Sequence, residues 1–180
     1  MNIYDEIDDA IDEMDEHDKQ EAYLSFFRTS FAFTLCPTLF KRSDDLPNLA
    51  WNSFKYSDRE NHALPDEQGV YMFMVSFEKN NLPNNSYVMY VGKAGDINSN
   101  NTIANRFQSY ARESGYRGRI RVRKMIQYFS DHLTYYYATI PAGSSTAPVE
   151  QALADIFVPP CCQVDFSAEV RTLLRGARLV

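Results

Sequence analysis

Gly69-Val70-Tyr71-Met72-Phe73-Met74-Val75-Ser76-Phe77, followed by Tyr87-Val88-Met89-Tyr90-Val91-Gly92-Lys93, is the stretch whose reading decides the fold. Between the two runs, Glu78 to Ser86 is polar and holds Pro83 and several asparagines, so the pair predicts a β-hairpin with a long loop. In the first run the apolar residues fill both alternating sets, Val70, Met72, Met74 and Tyr71, Phe73, Val75. A strand apolar on both sides is covered on both faces and central in its sheet. Tyr71 and Tyr90 then project from neighbouring strands of a rigid floor.

Upstream of the hairpin, Ile3, Ile7, Ile11 and Met14 recur at helical spacing among acidic residues, which predicts an amphipathic helix. Ala22 to Leu35, with Phe26, Phe27, Phe31 and Phe33 around Arg28, predicts further helix that stops at Pro37. Ser43 to Gly69 carries Pro47, Pro65, Asn48, Asn52 and Asn61, the chemistry of loops. This places a domain boundary near Pro65, with residues 1–64 an acidic helical extension and residues 65–180 the core domain.

Downstream, Ala94 to Asn101 is polar and loop-like, and Thr102 can cap a helix whose apolar stripe is Ile103, Phe107 and Tyr110. Arg106 sits at the edge of that stripe. A second helix is expected from about Arg119 to Phe129, and the aromatic, β-branched run Leu133 to Ile140 reads as a third strand. Thr146 or Ser145 then caps a helix with Pro148 in its first turn and Val149, Leu153, Ile156 and Phe157 as its stripe. Glu150 lies beside that stripe near the helix start, where the macrodipole favours a carboxylate, whereas Asp155 on another face is expected to be solvated. Pro159-Pro160 ends the helix, and Ser167 to Arg175, stopped by Gly176, makes a short last one. The fold class expected is α/β of the α+β type: a small mixed or antiparallel three-stranded sheet flanked by helices, with a helical N-terminal extension.

At 180 residues and 44% hydrophobic composition the chain can bury its own core. No apolar run reaches the roughly 20 residues that span a bilayer, and the acidic start Met1-Asn2-Ile3-Tyr4-Asp5-Glu6 is the opposite of a signal peptide. A cytoplasmic location without a membrane partner is expected. Cys36, Cys161 and Cys162 give an odd count without CxxC spacing, which argues for reduced thiols over a zinc finger or a disulfide framework. The net charge of −6 hides a strong asymmetry. Met1 to Ala22 holds ten acidic residues against Lys19, while Val91 to Tyr128 holds eight basic residues against Asp96 and Glu113. The acidic arm is either a solvated helix face or an element that masks the basic middle or docks a protein partner.

Taken in order, the core offers Tyr71 and Tyr90 on strands, Lys93 just beyond, Arg106 and Tyr110 on one helix and Glu150 on a later one. This order and spacing resembles the GIY-YIG nuclease family. Gly69-Val70-Tyr71 and Tyr90-Val91-Gly92 match the two naming tripeptides with Val for Ile, Arg106 matches the helix arginine, Tyr110 stands where members carry His or Tyr, and Glu150 matches the metal-binding glutamate. The resemblance covers roughly Gly69 to Gln163. One departure stands out: the asparagine that members place after the prolines is here Cys162, with Gln163 next to it. A thiol does not offer an amide's separate donor and acceptor groups.

What the resemblance implies is an endonuclease that hydrolyses DNA phosphodiester bonds with one Mg²⁺ (or Mn²⁺) ion held by Glu150. A single carboxylate suits Mg²⁺, which keeps several waters. Arg106 would hold a phosphate oxygen, because its guanidinium is planar and always charged. Tyr71 would activate the attacking water, Tyr90 would orient it or a phosphate oxygen with Tyr110 in support, and Lys93, Arg106 and the metal would help ionise Tyr71. Ionising an ordinary phenol at pH 7 costs about 4 kcal/mol, so Tyr71 needs such help. DNA would lie across Lys93 to Lys124, with RNA left open as substrate. The competing reading is a module that keeps the fold, has lost cleavage and binds nucleic acid or protein, with Cys162 as its mark. Other chemistries find little support: Gly92-Lys93-Ala94-Gly95 lacks the phosphate-loop spacing, and His17, His62 and His132 form no HExxH.

Overall fold

The structure is a computed structural model that describes residues 11, 13–78, 81–97, 99–162 and 166–177. The chain divides into two compact units, Met1–Ala32 and Phe33–Val180. In the first, helix α1 (Glu16–Ser30) starts at Asp15, whose carboxylate accepts the backbone N–H groups of His17 and Asp18 at 3.0 Å each. The helix expected to begin near Ala22 thus begins six residues earlier, at an acidic cap. Except for Ile11 and Met14, the stripe read between Ile3 and Met14 lies outside the described residues.

The second unit carries a four-stranded antiparallel sheet in the order β1-β4-β2-β3, with β1 (Asn52–Lys55), β2 (Gly69–Phe77), β3 (Asn85–Ala94) and β4 (Leu133–Thr139). Among the described residues the helices here are α2 (Pro37–Phe40), α3 (Ile103–Ala111), α4 (Glu113–Tyr116), α5 (Ile120–Phe129), α6 (Ala147–Phe157) and α7 (Ala168–Ala177). The class is therefore α+β, as read. β2 is central and buried along nearly its whole length, which is why its sequence is apolar on both alternations.

The sheet has four strands where three were expected. The extra one, β1, comes from Ser43 to Gly69, read as loop, and the boundary expected near Pro65 falls inside the second unit. β1 is a four-residue edge strand in which only Phe54 is buried, so no alternation could announce it. Phe54 packs against Phe107 and Tyr135, with ring centroids 5.4 and 5.5 Å apart. Pro37 opens α2 at its first turn instead of ending a helix.

Two further corrections bear on how α6 is held. Thr146 stands at the N-cap of α6 as read, with its carbonyl accepting the Glu150 N–H at 3.0 Å, but its side chain makes no capping bond. The Thr146 hydroxyl donates to the Gly95 carbonyl at 2.6 Å, and the Ser145 hydroxyl donates to Asp96 Oδ1 at 2.9 Å, tying the helix start to the end of β3. Asp155 is buried, not solvated: Oδ1 accepts the Ser167 N–H at 2.9 Å at the head of α7, and Oδ2 lies 3.7 Å from Arg42.

Candidate active site

Strand register builds the site. Tyr71 pairs with Gly92 on one side and Tyr137 on the other, and Phe73 pairs with Tyr90 and Tyr135. Cross-strand partners share a face, so Tyr71, Phe73, Tyr90, Gly92 and Tyr135 all look the same way. α3 covers that face: Phe107 stacks within 4.7 Å of Tyr135, and Tyr110 within 5.0 Å of Phe73. Thr102 caps the helix as its sequence predicts, accepting the Asn105 N–H at 3.2 Å. The glycine of the second tripeptide has a specific task. A Cβ at Gly92 would overlap the Tyr71 phenol, so only glycine lets the ring cross the neighbouring strand.

Three phenols and two guanidinium groups meet here. Tyr71 Oη and Tyr110 Oη are 2.7 Å apart and buried. Tyr90 completes a triangle of rings, with centroids 6.2 Å from Tyr71 and 6.1 Å from Tyr110. Arg106, one turn before Tyr110 on α3, donates through Nε to Tyr71 Oη at 3.0 Å. Arg119, just before α5, donates through Nη1 to Tyr110 Oη at 3.0 Å, and its guanidinium carbon lies 4.5 Å from the Tyr110 ring centre and 5.9 Å from that of Tyr90. The Tyr56 hydroxyl donates to the Tyr110 carbonyl at 2.6 Å and fixes the last turn of α3.

Electrostatics at the cluster oppose ionisation at rest. Burial, reinforced by neighbouring Tyr110 and Tyr90, holds the Tyr71 hydroxyl well above the usual phenol range. Tyr90 is raised by burial first and by Tyr110 second. Arg106 stays firmly charged, since the surrounding phenols outweigh the effect of its burial. Among the described residues, neither Arg106 nor Arg119 forms an ion pair with a carboxylate. Arg119 Nη2 is enclosed and bonded to nothing, a state that costs about 1–3 kcal/mol for a neutral donor and more for a charged one.

Of the residues singled out from sequence, Tyr71, Tyr90, Tyr110 and Arg106 are brought together. Lys93 is not. It pairs with Val70 in the register, so its side chain leaves the opposite face from Tyr71, and Nζ binds Asp96 Oδ2 at 2.5 Å. Help from Lys93 in ionising Tyr71 therefore has no basis in this arrangement. Glu150 stands half-buried in the first turn of α6, the helix pinned to the end of β3 two to four residues beyond Gly92. That end is also where Tyr71 sits, as the third residue of β2. Arg119 was not read as a site residue; membership of the basic run was its one signal.

Cys162 has a definite role. Its Sγ lies 3.4 Å from both the N–H and the C=O of Val91, the middle of Tyr90-Val91-Gly92, and the Cys161 N–H donates to the Met89 carbonyl at 3.0 Å. One thiol thus serves as donor and acceptor to the backbone of one residue, and the segment covers the outer edge of β3. Gln163 lies outside the described residues.

The donor chemistry fits a hard divalent ion in one respect. Glu150 supplies an oxygen ligand in the first turn of a helix; Asp96 at the same sheet end is engaged by Lys93, Ser145 and the N–H groups of Ile97 and Thr146. One carboxylate and a shell of waters is a coordination Mg²⁺ accepts and Zn²⁺ does not. A separate exposed trio, His17, Asp18 and Glu21, belongs to α1 in the other unit.

The basic middle is less available than its charge suggests. Lys124 is buried against Tyr128, and Arg121 donates to the Pro160 carbonyl at 2.7 Å. Arg112 and Arg117 are exposed, and Arg106 and Arg119 are half-buried. An apolar groove of about 500 Å³ runs between residues 34–44 and the end of α6, lined by Leu35, Phe40 and Phe157 and by none of the residues above. Set against models of protein families, characterised proteins and solved structures, the chain matches none.

Proposed function

We propose that the protein is a metal-dependent endonuclease that hydrolyses DNA phosphodiester bonds at a single-metal site of the GIY-YIG type. The observation that carries this reading is the Arg106–Tyr71–Tyr110 chain: a guanidinium with no carboxylate partner, bonded through Nε to a buried phenol that shares a 2.7 Å contact with a second phenol. Because Nε is the bonded nitrogen, the Nη pair of Arg106 remains for the two oxygens of a phosphate. Positioning and charge stabilisation of this kind supply most of the catalysis in phosphoryl transfer.

Each phenol oxygen accepts one guanidinium N–H, from Arg106 at Tyr71 and from Arg119 at Tyr110. Two neutral phenols hold two protons, one of them in the 2.7 Å contact; once the other has left, the remaining proton is shared between the oxygens and the two guanidinium groups stabilise the phenolate charge, which can then accept a proton from water. That is the property a general base needs once burial has suppressed spontaneous ionisation. Glu150 would hold the Mg²⁺ or Mn²⁺ ion, whose chemistry is Lewis-acid stabilisation of the phosphate and leaving oxygens.

The second reading, a DNA-binding or protein-binding module without cleavage, is favoured by one observation. Tyr71 and Tyr110 are fully enclosed at rest, so the base must be uncovered before it meets water. Plasmid nicking in Mg²⁺ separates the two. The nuclease reading expects loss of nicking in Arg106→Ala and Glu150→Ala, whereas binding without nicking by the wild type selects the module.

A further inference from the structure

We propose that Arg119 is a second phosphate-binding residue, and that with Arg106 it clamps one backbone phosphate of DNA over the Tyr71–Tyr110 pair. The inference rests on DNA being the substrate of this site, and it adds a ligand contact that the order of motifs does not contain.

Three observations converge. First, the two guanidinium groups address the same object: Arg106 lies 5.9 Å and Arg119 4.5 Å from the Tyr110 ring centre, and each donates to one member of the hydrogen-bonded phenol pair. Second, neither has an ion-pair partner among the described residues, whereas Lys93 is met by Asp96, Lys55 by Glu78, and Arg42 by Glu169 and Asp155. Two half-buried cations without a counter-charge repel each other unless an anion joins them. Third, Arg119 Nη2 is enclosed with no acceptor. An arriving phosphate oxygen provides the acceptor after a small turn of the guanidinium about its bond to Tyr110.

The chemistry selects the ligand. The phenol triangle offers hydroxyl donors and aromatic edges and no negative charge, so a cation-binding role has nothing to work with, while the two guanidinium groups call for an oxyanion. Two planar forks bonded to the two members of one hydrogen-bonded phenol pair match an oxyanion with several equivalent oxygens, and a phosphodiester is the form in which DNA presents it. Arg112 and Arg117, exposed in the segment between Arg106 and α5, continue the same positive track.

The test uses the full-length protein and a fluorescein-labelled DNA duplex, with Ca²⁺ replacing Mg²⁺ so that binding is read without cleavage. Anisotropy titrations over a range of salt give the log–log slope, which changes by about 0.9 for each phosphate contact in duplex DNA. Arg119→Gln is expected to flatten the slope by about 0.9, and Arg119→Lys to keep the slope while weakening binding at fixed salt. Equal slopes and affinities for wild type and Arg119→Gln overturn the proposal. Because Arg119→Gln could unfold, the wild type is also followed by NMR at its arginine Nε–H resonances during titration with the same duplex. Movement of Arg106 and Arg119 together supports the clamp; movement of Arg106 alone overturns it. A wild type that binds with the Arg119-dependent slope but fails to nick in Mg²⁺ leaves the clamp standing and removes the nuclease reading. No binding removes both.

Discussion

Two polar knots sit at the same end of the sheet and differ in one respect. In the Lys93–Asp96 knot, the carboxylate is met by an ammonium, a hydroxyl and backbone N–H groups, and every charge has its opposite. In the phenol knot, two guanidinium groups surround neutral oxygens and no carboxylate answers them. The first is complete and holds α6 on β3. The second, on the proposal made above, is completed by an anion. On that proposal, closing one knot and leaving its neighbour open separates holding from receiving.

The comparison is broken most severely at Gly92. In Gly92→Ala the new methyl overlaps the Tyr71 phenol, and overpacking of this kind costs about 1–3 kcal/mol and displaces the ring. Urea denaturation measures it, and a wild-type midpoint would show that the ring has room elsewhere. Asp96→Asn tests the closed knot. Its partners hold the Asp96 carboxyl well below the usual carboxylate range, Lys93 foremost. A depressed carboxylate stabilises above its unfolded pKa and loses that contribution as pH falls through the folded one. The variant should therefore melt below the wild type at neutral pH, with the gap closing below about pH 4.

The open knot has the opposite pH signature. Tyr71 is raised, so the folded state keeps its proton where the unfolded chain releases it; the contribution is whole below about pH 10 and is lost as pH climbs beyond. Thermal melts of Tyr71→Phe should accordingly show a shallower alkaline decline than the wild type. The same shift predicts nicking that rises through pH 10 without a plateau. The smallest effect belongs to Tyr135, whose hydroxyl is buried on the same face with no partner. Tyr135→Phe should keep or raise stability, by up to about 1 kcal/mol, and a clear loss would reveal a bond to that oxygen.

How far the sequence carries this picture depends on the kind of signal. β2 and β3 were legible because burial on both faces leaves apolar residues at every position, and α3 because Ile103, Phe107 and Tyr110 repeat at helical spacing over a Thr102 cap. β1 was not, since a four-residue edge strand held by Phe54 alone carries no period. Lys93 was misassigned although the parity was visible: it is one residue beyond Gly92, and successive strand residues face opposite ways. Arg119 escaped because its contacts with Tyr110 and Tyr90 depend on the turn at Arg117 and Gly118 between α4 and α5, which no periodicity encodes. Asp155 looked solvated by helical position, yet the turn before α7 returns over it.

The central claim is that the open knot receives a phosphodiester and that Glu150 completes the chemistry. Nicking of supercoiled plasmid in Mg²⁺, comparing wild type with Arg106→Ala and Glu150→Ala under matched purification, tests it most directly. The account predicts that the wild type nicks and that Arg106→Ala is slower by about 10²–10³-fold, the cost of one lost charge-stabilising donor, with Glu150→Ala at least as impaired. Equal nicking by all three proteins, or none by the wild type, would contradict it.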